Sequence, residues 1–237
     1  MIELKEVSKT YGGKVKALDR VSLRVDSGCI YGFLGPNGAG KTTAIKLITG
    51  ILQADGGQIL VEGIDIAQDP IGAKKLIGFV PDDPNVFLRL KGVEYLSFMA
   101  DIYGVGRERK DRIENLAQRF EMDKALDDKI LSYSHGMRQK ILIMGALIHR
   151  PPVWILDEPM TGLDAKSSFA LKQMMREHAD EGSTVFFSTH VMEVAEKICD
   201  KVAVIDKGHI LYAGDLSGMH TGNASLEQMF LEMTENA

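Results

Sequence analysis

Apolar and polar residues alternate over positions 2–7 and 21–25, the period-two pattern of half-buried strands. A short, mostly apolar run at 29–34 follows and ends in a glycine-rich stretch. Helical spacing then covers 42–51, with a stop at Gly50 or at the Asp55-Gly56-Gly57 turn. Further strands are predicted over 59–61 and 77–80. The pattern changes after Pro84. Val93, Leu96, Met99, Ala100 and Tyr103 recur at helical spacing, and so do Ile113, Leu116, Ala117 and Phe120. Residues 82–150 therefore read as a mostly helical insert. Alternation resumes with strands at 153–156, 184–188 and 202–205 and helices at 165–179 and 191–199. The Asp206-Lys207-Gly208-His209 turn predicts a closing hairpin into 210–213. A short amphipathic helix is predicted over 225–233. Repeated strand–helix–strand units predict an α/β fold, with a mostly parallel sheet and helices on its faces.

Two clusters add chemistry to this frame. Gly35, Pro36, Asn37, Gly38, Ala39, Gly40, Lys41 and Thr42 fit the phosphate-loop pattern G-x-x-x-x-G-K-[ST], between a strand and a helix. Glycines let the backbone curl so that its N–H groups converge on one anion, and the following helix adds its positive end. Lys41 is expected to reach the terminal phosphates and the Thr42 hydroxyl to ligate Mg²⁺; Thr43 completes the nucleotide-binding set. Downstream, the apolar strand at 153–156 runs into Asp157-Glu158. Such a strand delivers Asp157 to the C-terminal edge of the sheet, where open α/β folds bind ligands. Asp157 is expected on the metal, and Glu158 as the group that orients and deprotonates the attacking water.

Between these clusters stands Tyr133-Ser-His-Gly-Met-Arg-Gln-Lys140, a serine N-cap opening a helix that leads into the Asp-Glu strand. With this segment the chain resembles the ATP-binding subunits of ABC transporters over nearly its whole length. The family's signature is usually Leu-Ser-Gly-Gly-Gln followed by basic residues and a Gln; here His135 replaces a glycine and Met137 the glutamine. The resemblance implies a phosphate-loop NTPase core, an N-terminal antiparallel β subdomain and an inserted helical subdomain. One domain of 237 residues is expected, with the core in 1–81 and 151–220, the helical subdomain in 82–150 and a tail at 221–237.

It also implies a dimer that sandwiches two ATP molecules. Ser134 and Gly136 would bind the γ-phosphate of ATP held by the other subunit, and Ser134, His135, Gly136 and Asp164 would line the dimer interface. Tyr11 occupies the place of the aromatic that stacks on adenine, and Thr161-Gly-Leu-Asp164 resembles the loop that crosses the interface. His190 stands in the switch-histidine position, where it would join Glu158 and Lys41 as a catalytic residue. The family's metal-contacting glutamine is replaced in Pro81-Asp-Asp-Pro84. Asp82 is placed in that slot, with Asp83 as the other choice. An ionised carboxylate accepts but does not donate, so Asp82 is expected to act on the metal side, joining Thr42 and Asp157.

Composition narrows the partners. The chain has 237 residues, a net charge of −5 and no basic stripe, which disfavours nucleic acid. Cys29 and Cys199 lack metal-ligand spacing and read as buried thiols. The first residues lack the apolar core of a signal peptide, and no apolar run approaches the length of a membrane span. A second copy or homologous ATPase subunit and a membrane-spanning permease are the expected partners, with the chain peripheral on the cytoplasmic face of the membrane. The Pro81-Asp82 loop, the variant signature and the tail Ala224-Ser-Leu-Glu-Gln-Met-Phe-Leu231 resemble the ATPases of bacterial efflux systems, favouring export. The alternative is a non-transport ATPase of the same superfamily acting on the ribosome or DNA. The DNA-associated members carry long coiled-coil arms and the ribosomal ones two fused cassettes, neither of which this chain shows.

Overall fold

The computed structural model describes residues 1–216 together with Gln228 and Phe230. Two sheets form the framework. The antiparallel one, in the order β2-β1-β4-β5, joins β1 (Ile2–Tyr11), β2 (Val15–Val25), β4 (Gly56–Val61) and β5 (Ile64–Asp65). The other has the order β10-β9-β3-β8-β7-β6. In it β3 (Cys29–Leu34), β6 (Ile77–Val80), β7 (Val153–Leu156), β8 (Thr184–Thr189) and β9 (Lys201–Asp206) run parallel, and β10 (His209–Asp215) pairs antiparallel at the edge.

β3, β7 and β8 are buried along their whole length, and β6 and β9 nearly so, as strands covered on both faces are. Successive side chains enter two separate cores. Ile30, Trp154, Leu156, Val185 and Phe187 face the helices, whereas Tyr31, Phe33, Val153, Ile155 and Phe186 face the antiparallel sheet. The helical core is closed by α3 (Gly92–Ile102), α4 (Arg109–Phe120), α5 (His135–Leu147) and α6 (Ala165–Asp180). The β-side core takes in α1 (Lys41–Ile48) and Ala73 of α2 (Pro70–Lys75), and a smaller cluster seats α7 (Met192–Ile198) against β9.

Several boundaries differ from the sequence pattern, which also predicts neither β5 nor α2. β1 and β2 run longer because their pairing, through several register shifts, reaches Tyr11 and Val15 at the hairpin end. α1 runs to Ile48 with Thr49 as its C-cap, and Gly50 ends it by turning to φ 65°, as one of the two expected stops. Residues 82–91 form an irregular segment before α3. The helix expected over 225–233 lies outside the described residues apart from Gln228 and Phe230. Among the described residues no helix is long and apolar enough to cross a membrane.

Candidate nucleotide site

The turn from β3 into α1 carries the glycine-rich loop. A side chain on Gly35 would strike the Ile205 carbonyl, so only glycine lets the loop lie against the end of β9. Gly40 caps α1 at φ 111° with no side-chain hydrogen bond, and no acidic residue stands in the first turn. The first amides of α1 are thus left to an external anion. The Lys41 ammonium donates to the Gly35 carbonyl at 2.7 Å and to that of Pro36 at 3.1 Å. It also lies 3.6 Å from Glu158 Oε1.

These groups open onto one cavity of about 310 Å³. Pro36, Asn37, Gly38, Gly40, Lys41, Thr42 and Thr43 line it together with Asp82, Glu158, Val15, Lys16, Ala17 and Lys207. Tyr11 stands outside this lining, its hydroxyl 3.4 Å from Thr43 Oγ1 and its ring half-exposed. Of the two acids after β6, the fold brings Asp82 to the cavity; Asp83 instead accepts from the Asn85 backbone and side chain. Burial raises the Asp82 carboxyl above its ordinary pKa. Asp157, Glu158 and Asp83 add to the rise, and His135 opposes it.

The strand-end carboxylates are held by a residue that no motif singled out. Ser188, fully buried in β8, donates to Asp157 Oδ1 at 2.5 Å and accepts the Glu158 N–H at 3.0 Å. Glu158 has φ 47°, a conformation that costs a non-glycine residue energy and recurs at functional sites. His190 Nδ1 lies 3.0 Å from Glu158 Oε1. Among the described residues no three His, Cys, Asp or Glu side chains cluster to hold a metal. Thr42 in the cavity lining and the anchored Asp157 instead suit a cation carried largely by phosphate oxygens, the usual mode for Mg²⁺.

Ser134, His135, Gly136 and Asp164 are not part of this cavity. Ser134 caps α5 and accepts the Met137 N–H at 3.3 Å, which leaves its own O–H to donate outward. Gly136 and the His135 imidazole close on Gly162, which sits at φ 76° with no room for a side chain beside His135. Asp164 caps α6 through the Ser167 N–H at 2.8 Å. That bond, the Ser167 hydroxyl and Lys140 hold its carboxyl down at about 2.

Comparison with known proteins bears on this arrangement. The sequence family described as "ABC transporter" matches residues 18–161, more than half the chain. The ABC transporter ATP-binding protein NatA of Bacillus subtilis is 36% identical over 240 residues, covering 99% of this chain and 98% of that protein. The linearmycin resistance ATP-binding protein LnrL of the same organism is 34% identical, covering 90% and 69%. A solved ATP-binding cassette, described as a dimeric post-hydrolysis state bound to ADP and Pi, superposes with a TM-score of 0.82 at 26% identity, covering 91% and 99%.

Proposed function

This chain belongs to the ABC transporter family, as an ATP-hydrolysing subunit that powers transport through a separate membrane partner, and on that premise we propose how its residues divide the work. One observation carries the proposal: a single chain holds the phosphate loop, Asp82 and Glu158 in one cavity and keeps the Ser134–Gly136 turn off it. Each subunit then presents half a site, and a second copy supplies the other half.

In that arrangement the α1 amides and Lys41 draw the phosphates in, displacing the ammonium from the Gly35 and Pro36 carbonyls. Tyr11 stacks on the adenine from the mouth. Thr42 and Asp157, with Asp82 beside them, would hold Mg²⁺, and the chemistry it would supply there is neutralisation of charge on the phosphate oxygens. Glu158 takes a proton from the water that attacks the γ-phosphorus, and the bond to the bridging oxygen breaks toward ADP. His190 steadies Glu158 and meets the γ-phosphate. Ser134 and Gly136 of the facing subunit bind that phosphate across the interface, where His135 and Asp164 also lie.

The direction we assign is export, from the likeness to a resistance ATPase. The membrane partner is placed on the segment after Asp82. Phe87 and Phe98 stand half-exposed there with ring centroids 5.9 Å apart, and Arg138 of α5 bonds Asn85 at 2.5 Å. Movement of that segment is thereby passed to the helix that Ser134 caps.

Mixing two inactive variants tests the divided site. Lys41→Ala and Ser134→Arg are each expected to hydrolyse ATP poorly alone. Mixed, they regain a substantial fraction of parental turnover, because one of the two sites in a mixed dimer draws Lys41 from one chain and Ser134 from the other. If both variants bind each other and the mixture stays inactive, the shared site is wrong.

A further inference from the structure

Lys207 lines the nucleotide cavity from outside every motif discussed above. It is the first central residue of the two-residue turn that joins β9 to β10, where Asp206 pairs with His209. Lys207 and Gly208 have φ values of 46° and 80°. Such mirror-image turns favour asparagine or glycine at the first position, so lysine is held there in a conformation that L side chains rarely adopt.

The turn cannot drift from the phosphate loop. The Gly208 N–H donates to the Ala39 carbonyl at 3.0 Å, and the Gly208 carbonyl accepts the Asp19 N–H at 3.0 Å. One residue before Asp206, the Ile205 carbonyl lies against Gly35. The lysine side chain is thus anchored at its root beside the loop while most of its length is in solvent, 73% exposed.

Charge gives that placement a purpose. Lys41 already faces a carboxylate, Glu158, at 3.6 Å, and Asp82 adds a second to the same lining. The chain as a whole carries −5. A polyphosphate therefore approaches an acidic protein, and at the cavity it meets Lys16, Lys41 and Lys207 beside the carboxylates of Asp82 and Glu158. At the rim, Lys16 is already 2.7 Å from the Asp19 carboxylate. Among the described residues the Lys207 ammonium has only a long ion pair, 3.8 Å, with its neighbour Asp206. It is the cation at this cavity with least to give up on meeting a phosphate.

We propose that Lys207 is a nucleotide-binding residue, contacting the polyphosphate of ATP or ADP from the β9–β10 turn. The assignment rests on the ATP-binding reading of the cavity. Lys207→Asn is the informative variant, because asparagine suits the turn and removes the charge. Calorimetric titration of the full chain with ATP and with ADP, at low and at high salt, reads the effect. Lys207→Asn is expected to weaken both nucleotides about fivefold at low salt, less at high salt, with a melting temperature equal to or above the parent. Lys207→Arg restores affinity, and Lys110→Gln on exposed α4 changes nothing. Affinity within twofold of the parent at low salt, or no rescue by arginine, overturns the proposal. Failure of the parent chain itself to bind ATP would overturn the underlying reading instead.

Discussion

Removing the Ser188 hydroxyl would free a carboxylate and a backbone amide at once, because Asp157 Oδ1 and the Glu158 N–H both bond to it. Groups that orient a metal ligand typically change activity ten- to a hundred-fold when lost. Ser188→Ala is therefore expected to lower ATP turnover by roughly that factor, with a rightward shift in its Mg²⁺ dependence and little change in Mg²⁺-free nucleotide binding. An Mg²⁺ titration of steady-state turnover checks this, and Asp82→Asn run beside it should shift the same curve. Unshifted curves would remove both side chains from the metal side. Neither role has the same visibility in sequence. Asp82 stands out because an acid replaces an amide in a recognisable loop. Ser188 is one of three hydroxyl residues in β8, and its meaning comes only from the parallel pairing of β7 with β8. Lys207 is hidden likewise, since the turn that carries it is brought to the phosphate loop by sheet order and not by chain proximity.

At the scale of elements, capping decides where helices start and what their ends offer. α1 begins without a side-chain cap, whereas α5 and α6 carry Ser134 and Asp164. Replacing an aspartate cap by alanine costs about 1 kcal/mol. Asp164→Ala should lose about that much in urea unfolding and Asp164→Asn much less. The Asp164 carboxyl sits below its unfolded pKa of 3.8, at about 2. The unfolded chain therefore binds the proton more readily, and this contribution is present above pH 3.8 and lost as pH falls through about 2. An unchanged urea midpoint for Asp164→Ala above pH 5 would remove the cap from the account. The Ser134 cap was legible in the sequence, whereas Asp164 stood out only as an interface residue and its cap emerges from the structure. The ends of elements were less legible. Thr49 bonding back to Ile45 and the paired hairpin at Tyr11 and Val15 depend on local geometry that periodicity does not encode.

The whole molecule carries a buried pH dependence. His149 stacks on Tyr103 with ring centroids 3.6 Å apart and planes 6° from parallel. Burial pushes its pKa from 6.5 to about 4, against a smaller opposing pull from the Ile77 carbonyl. His178, bonded to the Pro151 carbonyl at 2.8 Å, is also lowered by burial. Between pH 6.5 and about 4 the unfolded chain binds more protons than the folded one, so stability falls as pH drops across that window. His149→Phe keeps a stacking ring and removes the titration. Urea midpoints measured at intervals across the window should show a flatter slope for it, with His178 supplying the remainder. A slope equal to the parent's would acquit His149. At this scale the sequence was informative: unbroken apolar strands, alternating helices and two nucleotide-site clusters at strand ends specify an α/β sheet with its site at one edge.

Phe186 and Phe187 are adjacent in the chain, yet the sheet sends them into different cores. Substitutions on opposite faces that lie more than about 10 Å apart and share no neighbours should combine additively. Helical-core positions far from the strand ends and from the Ser134 cap can therefore change without altering the packing around the glycine-rich loop. A fold divided in this way lets its two faces diverge at different rates.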